Sequence, residues 1–345
     1  MKEKLSYERA GVNIDVADAT KREMAEALAT TDRRVLNKLG AFATLLDGTF
    51  PEYEHPVLVL KTEEPGSKQK LAFQYNRVAG ICYDMIHHLV NDIVVMGAKP
   101  VSVQDVIVCG KLDKDVVKLL VASMAEACRA QGCVLTGGET SEQPGVVEAG
   151  TYILASSIVG VVEKAKIVDG SHIRPGDIVL AAESNGLHTN GYSLVRALIA
   201  SQPGILETAV GAESFVEAIM RPHRCYYQPL RGLLERGELH GMAHITGGGI
   251  QGNLNRVLPA GLDALIDLDK VHVLPVFKAI RDAGSIDDAD MLRTFNLGVG
   301  MTLVVAPEAA EEFQKHLSVT GVDSCPIGAI VPGAQNVRFR GQLRW

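Results

Sequence analysis

KLDKDVVKLLVASMAEACRAQGCVLTGGETSEQPG, residues 111–145, decides the fold class. In its first part Val117, Leu120, Val121, Met124 and Cys128 recur at helical spacing and form one apolar stripe. Asp113 or Asp115 supplies the N-cap, and Gly132 closes the helix. CVLTGGETSEQPG then reads as a strand running into a glycine-rich turn. Helix, strand and glycine loop in succession are the building unit of α/β proteins.

The same unit recurs on both sides. PVLVLKT (56–62) is a short strand bounded by Pro56, and a helix spans 78–96 and stops near Gly97. VSVQDVIVC (101–109) and TYILASSIVGVVE (151–163) are further strands. IVDGSHIRPGD (167–177) is polar, with Gly and Pro, and marks a boundary between domains at 1–168 and 169–345. The pattern then restarts. DIVLAAE (177–183) is a strand, ESNGLHTNG a loop and YSLVRALIA (192–200) a helix. GMAHITGGGIQGNLNRVL (241–258) repeats strand, glycine loop and helix, and LGVGMTLVVAP (297–307) is a late strand. Residues 17–38 are charged and Ala-rich and read as a surface helix or flap.

A chain of 345 residues suits two domains at roughly 150 residues each. With 47% hydrophobic residues it can bury a sizeable core. A net charge of -7 argues against a nucleic-acid surface, which needs a basic stripe. No apolar run reaches the length of a membrane span, and the N-terminus lacks a signal-peptide core. The six cysteines form no CxxC pair and read as reduced thiols of a cytosolic protein.

Four features carry chemistry. Gly137 and Gly138 let backbone N–H groups approach a ligand, and the Glu139 carboxylate that follows can hold Mg2+; a tight turn with a capping Glu is the plain alternative. Glu63, Asp84, Asp92 and Asp105 fall near strand and helix ends. Asp92 and Asp105 lie in apolar runs, where an ionised carboxylate must be paired or metal-bound. His188 sits in the Asn- and Gly-rich loop 183–191, which runs into a helix start; it is a proton-transfer or phosphate residue, or a solvated loop histidine. Gly247, Gly248 and Gly249 follow a strand and precede a helix, which suits phosphate binding or close packing. His87 and His88 are adjacent on a helix, cannot share a face, and read as structural.

Together the segments SYERAGVNID (6–15), VNDIVVMGAKP (90–100), GKLD (110–113), GCVLTGGETSEQPG (132–145), GVVEKAKIVDG (160–170), SNGLHTNGYSLVR (184–196), HITGGGIQGNLNRVLP (244–259) and RTFNLGVGM (293–301) resemble the aminoimidazole ribonucleotide synthetase family, the phosphoribosylformylglycinamidine cyclo-ligases. They follow the family's order over most of the chain. The resemblance implies a mixed α/β fold of α+β type in two domains. The first binds ATP and pairs with a second copy, so that a β-barrel forms across a homodimer interface. It implies ATP-dependent ring closure of a ribonucleotide, with Mg2+ and K+ as the cofactor ions.

Residue by residue, Asp92 and Glu139 match the family's metal and ATP positions, and Asp105 a nucleotide position. His188 matches the histidine beside the reacting centre. Asn185, Thr189, Asn190 and Gly247–Gly249 match positions near substrate, and Gly137 and Gly138 positions near nucleotide. The family's nucleotide loop, roughly GTDGVGTK, is KTEEPGSK (61–68) here. Glu63 keeps a carboxylate, expected to share the metal with Asp92 and Glu139, while Gly66, Ser67 and Lys68 survive as nucleotide ligands. Two further departures are GAFA at 40–43 for GGFG, and Ala25 near an expected lysine. These changes motivate two alternatives. One is a non-catalytic relative. The other is another ATP-using member of the superfamily, of the selenophosphate synthetase or thiamine phosphate kinase type, which the GVVEK, GYSLVR and HITGGG segments disfavour.

Overall fold

The computed structural model describes residues 20, 24, 27–30, 32–37 and 41–345. Residues 6–15, Ala25, Gly40 and part of the expected helix or flap at 17–38 lie outside them. Within that flap the described residues after Ala27 are not helical, and Val35 forms a β-bridge with Leu46.

Strands β1 (Pro56–Glu63), β2 (Lys99–Cys109), β3 (Val134–Glu142) and β4 (Tyr152–Glu163) form one sheet in the order β1-β4-β2-β3. Helices α1 (Lys68–Gln74), α2 (Val78–Val94) and α3 (Lys114–Ala130) accompany it. β2 and β3 are parallel, as a crossover through α3 requires, and the other pairs are antiparallel. The α3 stripe is buried as its spacing predicts, and Asp113 rather than Asp115 is the cap, accepting from the backbone N–H of Asp115 and Val116. The glycine-rich turn expected after CVLT is not a turn. Gly137 and Gly138 lie inside β3, where the register against β2 shifts, so the pairing absorbs the irregular backbone.

The second half contains β5 (Ile178–Glu183), α4 (Tyr192–Ser201), a short hairpin of β6 (Ala209–Val210) and β7 (Glu213–Ser214), α5 (Phe215–Met220) and α6 (Tyr227–Leu230). It continues through β8 (Leu239–His244), α7 (Gly249–Leu254), β9 (Leu262–Asp267), α8 (Pro275–Gly284), α9 (Asp288–Thr294), β10 (Val299–Val305), α10 (Ala310–Val319), β11 (Ser324–Pro332) and β12 (Val337–Arg340). Its six-stranded sheet runs β12-β9-β11-β5-β10-β8, and only β12 and β9 are parallel neighbours. The fold is mixed α/β. Among the described residues neither of these sheets closes on itself into a barrel.

Helix α2 packs between the halves. Ile81, Met85, Ile86, Leu89, Val90 and Ile93 are inaccessible to solvent. A helix buried all round leaves no wet face for its polar residues. Asp84, His88, Asn91 and Asp92 must therefore find partners; Lys61 and Lys68 of the first half supply some, and the second half supplies the rest.

Candidate active site

Asn91, fully buried, donates through Nδ2 to the Arg224 carbonyl at 2.8 Å and accepts at Oδ1 from the Tyr226 N–H at 2.8 Å. His87 Nδ1 meets the His223 carbonyl at 2.5 Å. Asp84 Oδ1 accepts from the His223 N–H at 2.7 Å. About two turns of helix thereby fix the backbone of residues 223–226.

Lys68 and Asp84 form an ion pair with both side chains almost wholly buried. The ammonium lies 2.8 Å from each Asp84 oxygen and also donates to the carbonyls of His188 (3.1 Å) and Arg221 (2.8 Å). Burial pushes the lysine down and the aspartate up, and their mutual attraction opposes both shifts. Every proton of the ammonium is used, which lets a buried charge persist. Lys68, expected to face a nucleotide, instead binds the first half to the 184–191 loop.

A polar chain crosses the interface. Lys61 Nζ sits 2.7 Å from Glu63 Oε1 and 3.1 Å from Asp92 Oδ2. Asp92 Oδ1 lies 2.7 Å from His244 Nδ1, and His244 Nε2 lies 3.0 Å from His223 Nε2. The His223 ring stacks on His188, with centroids 3.8 Å apart. Burial opposes charge on Asp92, but His244, with His88 and Lys61 behind it, holds the carboxyl well below its usual range. Burial drives His188 and His223 far down, so both rings are neutral near pH 7. Burial, then His244, pushes His88 down to about 4.

The 184–191 loop carries the clearest mark of a ligand. Asn185 Oδ1, Asn190 Nδ2 and both ring nitrogens of His188 are buried with no partner among the described residues. Buried polar atoms are normally paired, so four orphans on one loop await an incoming group. His188 also has φ +61°, a left-handed state that non-glycine residues seldom adopt. Lys68 holds its carbonyl there. Gly300 makes the space, because a Cβ at that position would meet the Tyr226 hydroxyl and the His188 ring.

The structure gathers Gly66, Lys68, Asn185, His188, Thr189, Asn190 and Gly247 at this junction. A Cβ on Gly66 would lie 3.5 Å from the Thr189 carbonyl, and one on Gly247 3.4 Å from Asn190 Oδ1. Gly248 and Gly249 open α7, and Ser67 precedes α1. His188 is neither open to solvent nor in an apolar pocket; it lies in a cluster of rings.

His87 and His88, read as structural, both make contacts to the second half, and His88 lies 3.1 Å from Thr189 Oγ1 and 3.5 Å from Asp92 Oδ2. Other expectations are corrected. Glu63, Asp92 and Glu139 do not gather around one ion. Glu63 is in register with Ser156, and Ser156 bonds Met85 of α2, so that row faces the helix. Glu139 is in register with exposed Val106 on the other face. Alternation along strands sends the two glutamates to opposite sides, with two strands between them. Asp105 faces the α2 side, 4% exposed, and burial pushes it to about 7.

Sequence reasoning missed Lys61, Asn91, His223 and His244. His244 was visible as the residue before ITGGG at a strand end, and Lys61 as the strand neighbour of Glu63 at i−2. Nothing in RPHRCYY marks His223.

Residues 53–162 match the family model for the N-terminal domain of AIR synthase related protein, and residues 174–340 match its C-terminal domain. The chain is 43% identical to a phosphoribosylformylglycinamidine cyclo-ligase of Chromobacterium violaceum, over 94% of this chain and 95% of that one. It is 42% identical to the cyclo-ligase of Cupriavidus pinatubonensis, over 94% and 93%. Among solved structures, thiamine-monophosphate kinase from Stenotrophomonas maltophilia superposes with a TM-score of 0.67 at 17% identity, covering 96% of this chain and 98% of that one. E. coli HypE does so with 0.67 at 19%, covering 94% of each. At such identities these two establish the fold alone.

Proposed function

The chain belongs to the phosphoribosylformylglycinamidine cyclo-ligase family, and from that premise we propose that it closes the imidazole ring of aminoimidazole ribonucleotide from formylglycinamidine ribonucleotide, using ATP, in purine biosynthesis. It is a ligase that forms a C–N bond. The observation that carries the reading is the loop of orphaned polar atoms around His188.

ATP transfers its terminal phosphoryl group to the formamide oxygen, turning a poor leaving group into a good one. The amidine nitrogen attacks the same carbon, the C–N bond closes, and phosphate departs with that oxygen. The attacking nitrogen sheds a proton. A neutral His188 ring is suited to take it, having two nitrogens with no competing protein partner. Asn185, Thr189, Asn190 and Gly247–Gly249 hold the ribonucleotide. Lys68 works one step back, keeping the His188 backbone in its left-handed state. Ring closure is intramolecular, so orientation by this rigid loop supplies much of the rate.

Gly66, Ser67, Gly137, Gly138 and Glu139 are the proposed nucleotide side, with the domains divided near 168/169. Mg2+ is proposed to enter on the ATP phosphates and to take Glu139 as its protein oxygen, since Mg2+ is commonly held by few carboxylates plus phosphate. No shared cage of Glu63, Asp92 and Glu139 is invoked, because Lys61 already pairs with both Glu63 and Asp92 and Glu139 lies on the other face of the sheet. K+ is the proposed monovalent ion and the cytoplasm the proposed location; no helix among the described residues is long and apolar enough to cross a membrane. A homodimer is proposed through the outer face of the first sheet, where Leu58, Leu60, Val106 and Ile153 remain 40% to 70% exposed.

The test is an assay of purified protein with formylglycinamidine ribonucleotide, ATP and Mg2+. We expect ADP release matched by ring closure. Absence of both across a screen of divalent and monovalent cations would refute the reading.

A further inference from the structure

His188, His223 and His244 reach one point from three separate stretches: the 184–191 loop, the segment after α5, and the end of β8. Each offers one ring nitrogen such that all three lie within 4.8 Å of one another. His223 and His188 are each 1% exposed, and His244 5%. Both His188 nitrogens and His223 Nδ1 have no protein partner.

His244 Nδ1 lies 2.7 Å from Asp92 Oδ1, and His244 Nε2 lies 3.0 Å from His223 Nε2. His223 Nε2 also lies 3.3 Å from Asn91 Nδ2. The hydrogen bonds among the described residues leave His223 Nδ1 and both His188 nitrogens unused, and unused buried ring nitrogens beside a third imidazole offer lone pairs to a cation. Asp92 on the far nitrogen of His244 is also the arrangement that sets tautomer and ring orientation for metal ligands.

We infer that His188, His223 and His244 form a site for one divalent transition ion of the zinc class, bound through imidazole nitrogens with a coordination position left open. Imidazole sets suit Zn2+, Co2+, Ni2+ or Cu2+ rather than Mg2+ or Ca2+. Three protein ligands and an open position are the pattern of reactive rather than purely structural zinc sites. The His188 and His223 rings stack within 17° of parallel, which sets their lone pairs side by side. Capture of an ion therefore requires the His188 ring to turn. No hydrogen bond holds that ring, so turning breaks none. Ion capture and proton acceptance are alternative uses of the same ring. The inference needs only the three imidazoles and is independent of the ring-closing reading.

The test uses the full-length, tag-free chain, stripped with a chelator and titrated with Co2+ alone, without substrate. Visible absorption of Co2+ in a nitrogen environment should rise to one ion per chain. Zn2+ should displace it, and excess Mg2+ should not. His223→Gln should weaken binding by at least tenfold, and Asp92→Asn by about 10–100-fold. Absence of stoichiometric Co2+ uptake by the wild type overturns the inference, as does unchanged uptake by folded His223→Gln. Should a variant not fold, X-ray absorption of the Zn2+-loaded wild type decides: a shell of imidazole nitrogens sustains the site, and one without them overturns it.

Discussion

His188 combines a left-handed backbone, a fully buried ring and two unpartnered nitrogens. Such a backbone state costs a non-glycine residue on the order of 1–3 kcal/mol and persists only where surroundings over-determine it. Here the Lys68 ammonium on its carbonyl does so. Replacing His188 by Ala should cut kcat by tenfold or more if the ring takes the proton. Because burial lowers its pKa, the wild-type rate should stay level as pH falls from about 8 to roughly 6.5, where an ordinary imidazole is already about half charged. Steady-state kinetics across that range are the check, and an unchanged kcat in the Ala variant would remove His188 from the chemistry. Lys68→Met strands Asp84 as an unpaired buried charge. The expected loss is about 3–5 kcal/mol by urea denaturation, partly recovered when Asp84→Leu is added. A loss near zero would mean that water reaches the pair.

Helix α4 begins at Gly191, with φ +80°. A Cβ there would run into the Phe295 ring, so the loop-to-helix corner is shaped by the absence of a side chain. Gly191→Ala should cost at least ~1–2 kcal/mol from backbone conformation alone and move the loop away from Asn190 and Gly247. Thermal denaturation would register the first effect and a raised KM for the ribonucleotide the second; full stability with native KM would count against this account. Elements with a clean period were legible in the chain: α3, with its cap narrowed to Asp113 or Asp115, and the strands read at 56–62 and 151–163, which the structure sets at Pro56–Glu63 and Tyr152–Glu163. The turn expected at Gly137–Gly138 was not, because strand pairing with β2 outweighed the local preference of glycine for turns.

At the scale of the molecule, β1, β4 and β2 present Leu58, Leu60, Ile153 and Val106 on a face that the described residues leave exposed. If two copies pair there, sedimentation should give twice the 37.0 kDa chain mass, and Leu60→Glu should give the single chain. A wild type that sediments as a single chain at micromolar concentration would exclude the pairing. The sequence alone settled the main elements of the first half, the repeat of strand, glycine loop and helix in the second, and the family, because periodicity, caps and motif order are local properties carried along the chain. It also marked the 184–191 loop and His188. Only the tertiary structure decided what those residues meet. Lys68 left the nucleotide side for Asp84, Glu139 turned to the opposite face from Glu63, and His88, His223 and His244 converged on Asp92 and His188. Such contacts join residues more than a hundred positions apart in several cases. They are fixed by the burial of α2 between the halves, which obliges its polar side chains to find partners across the interface.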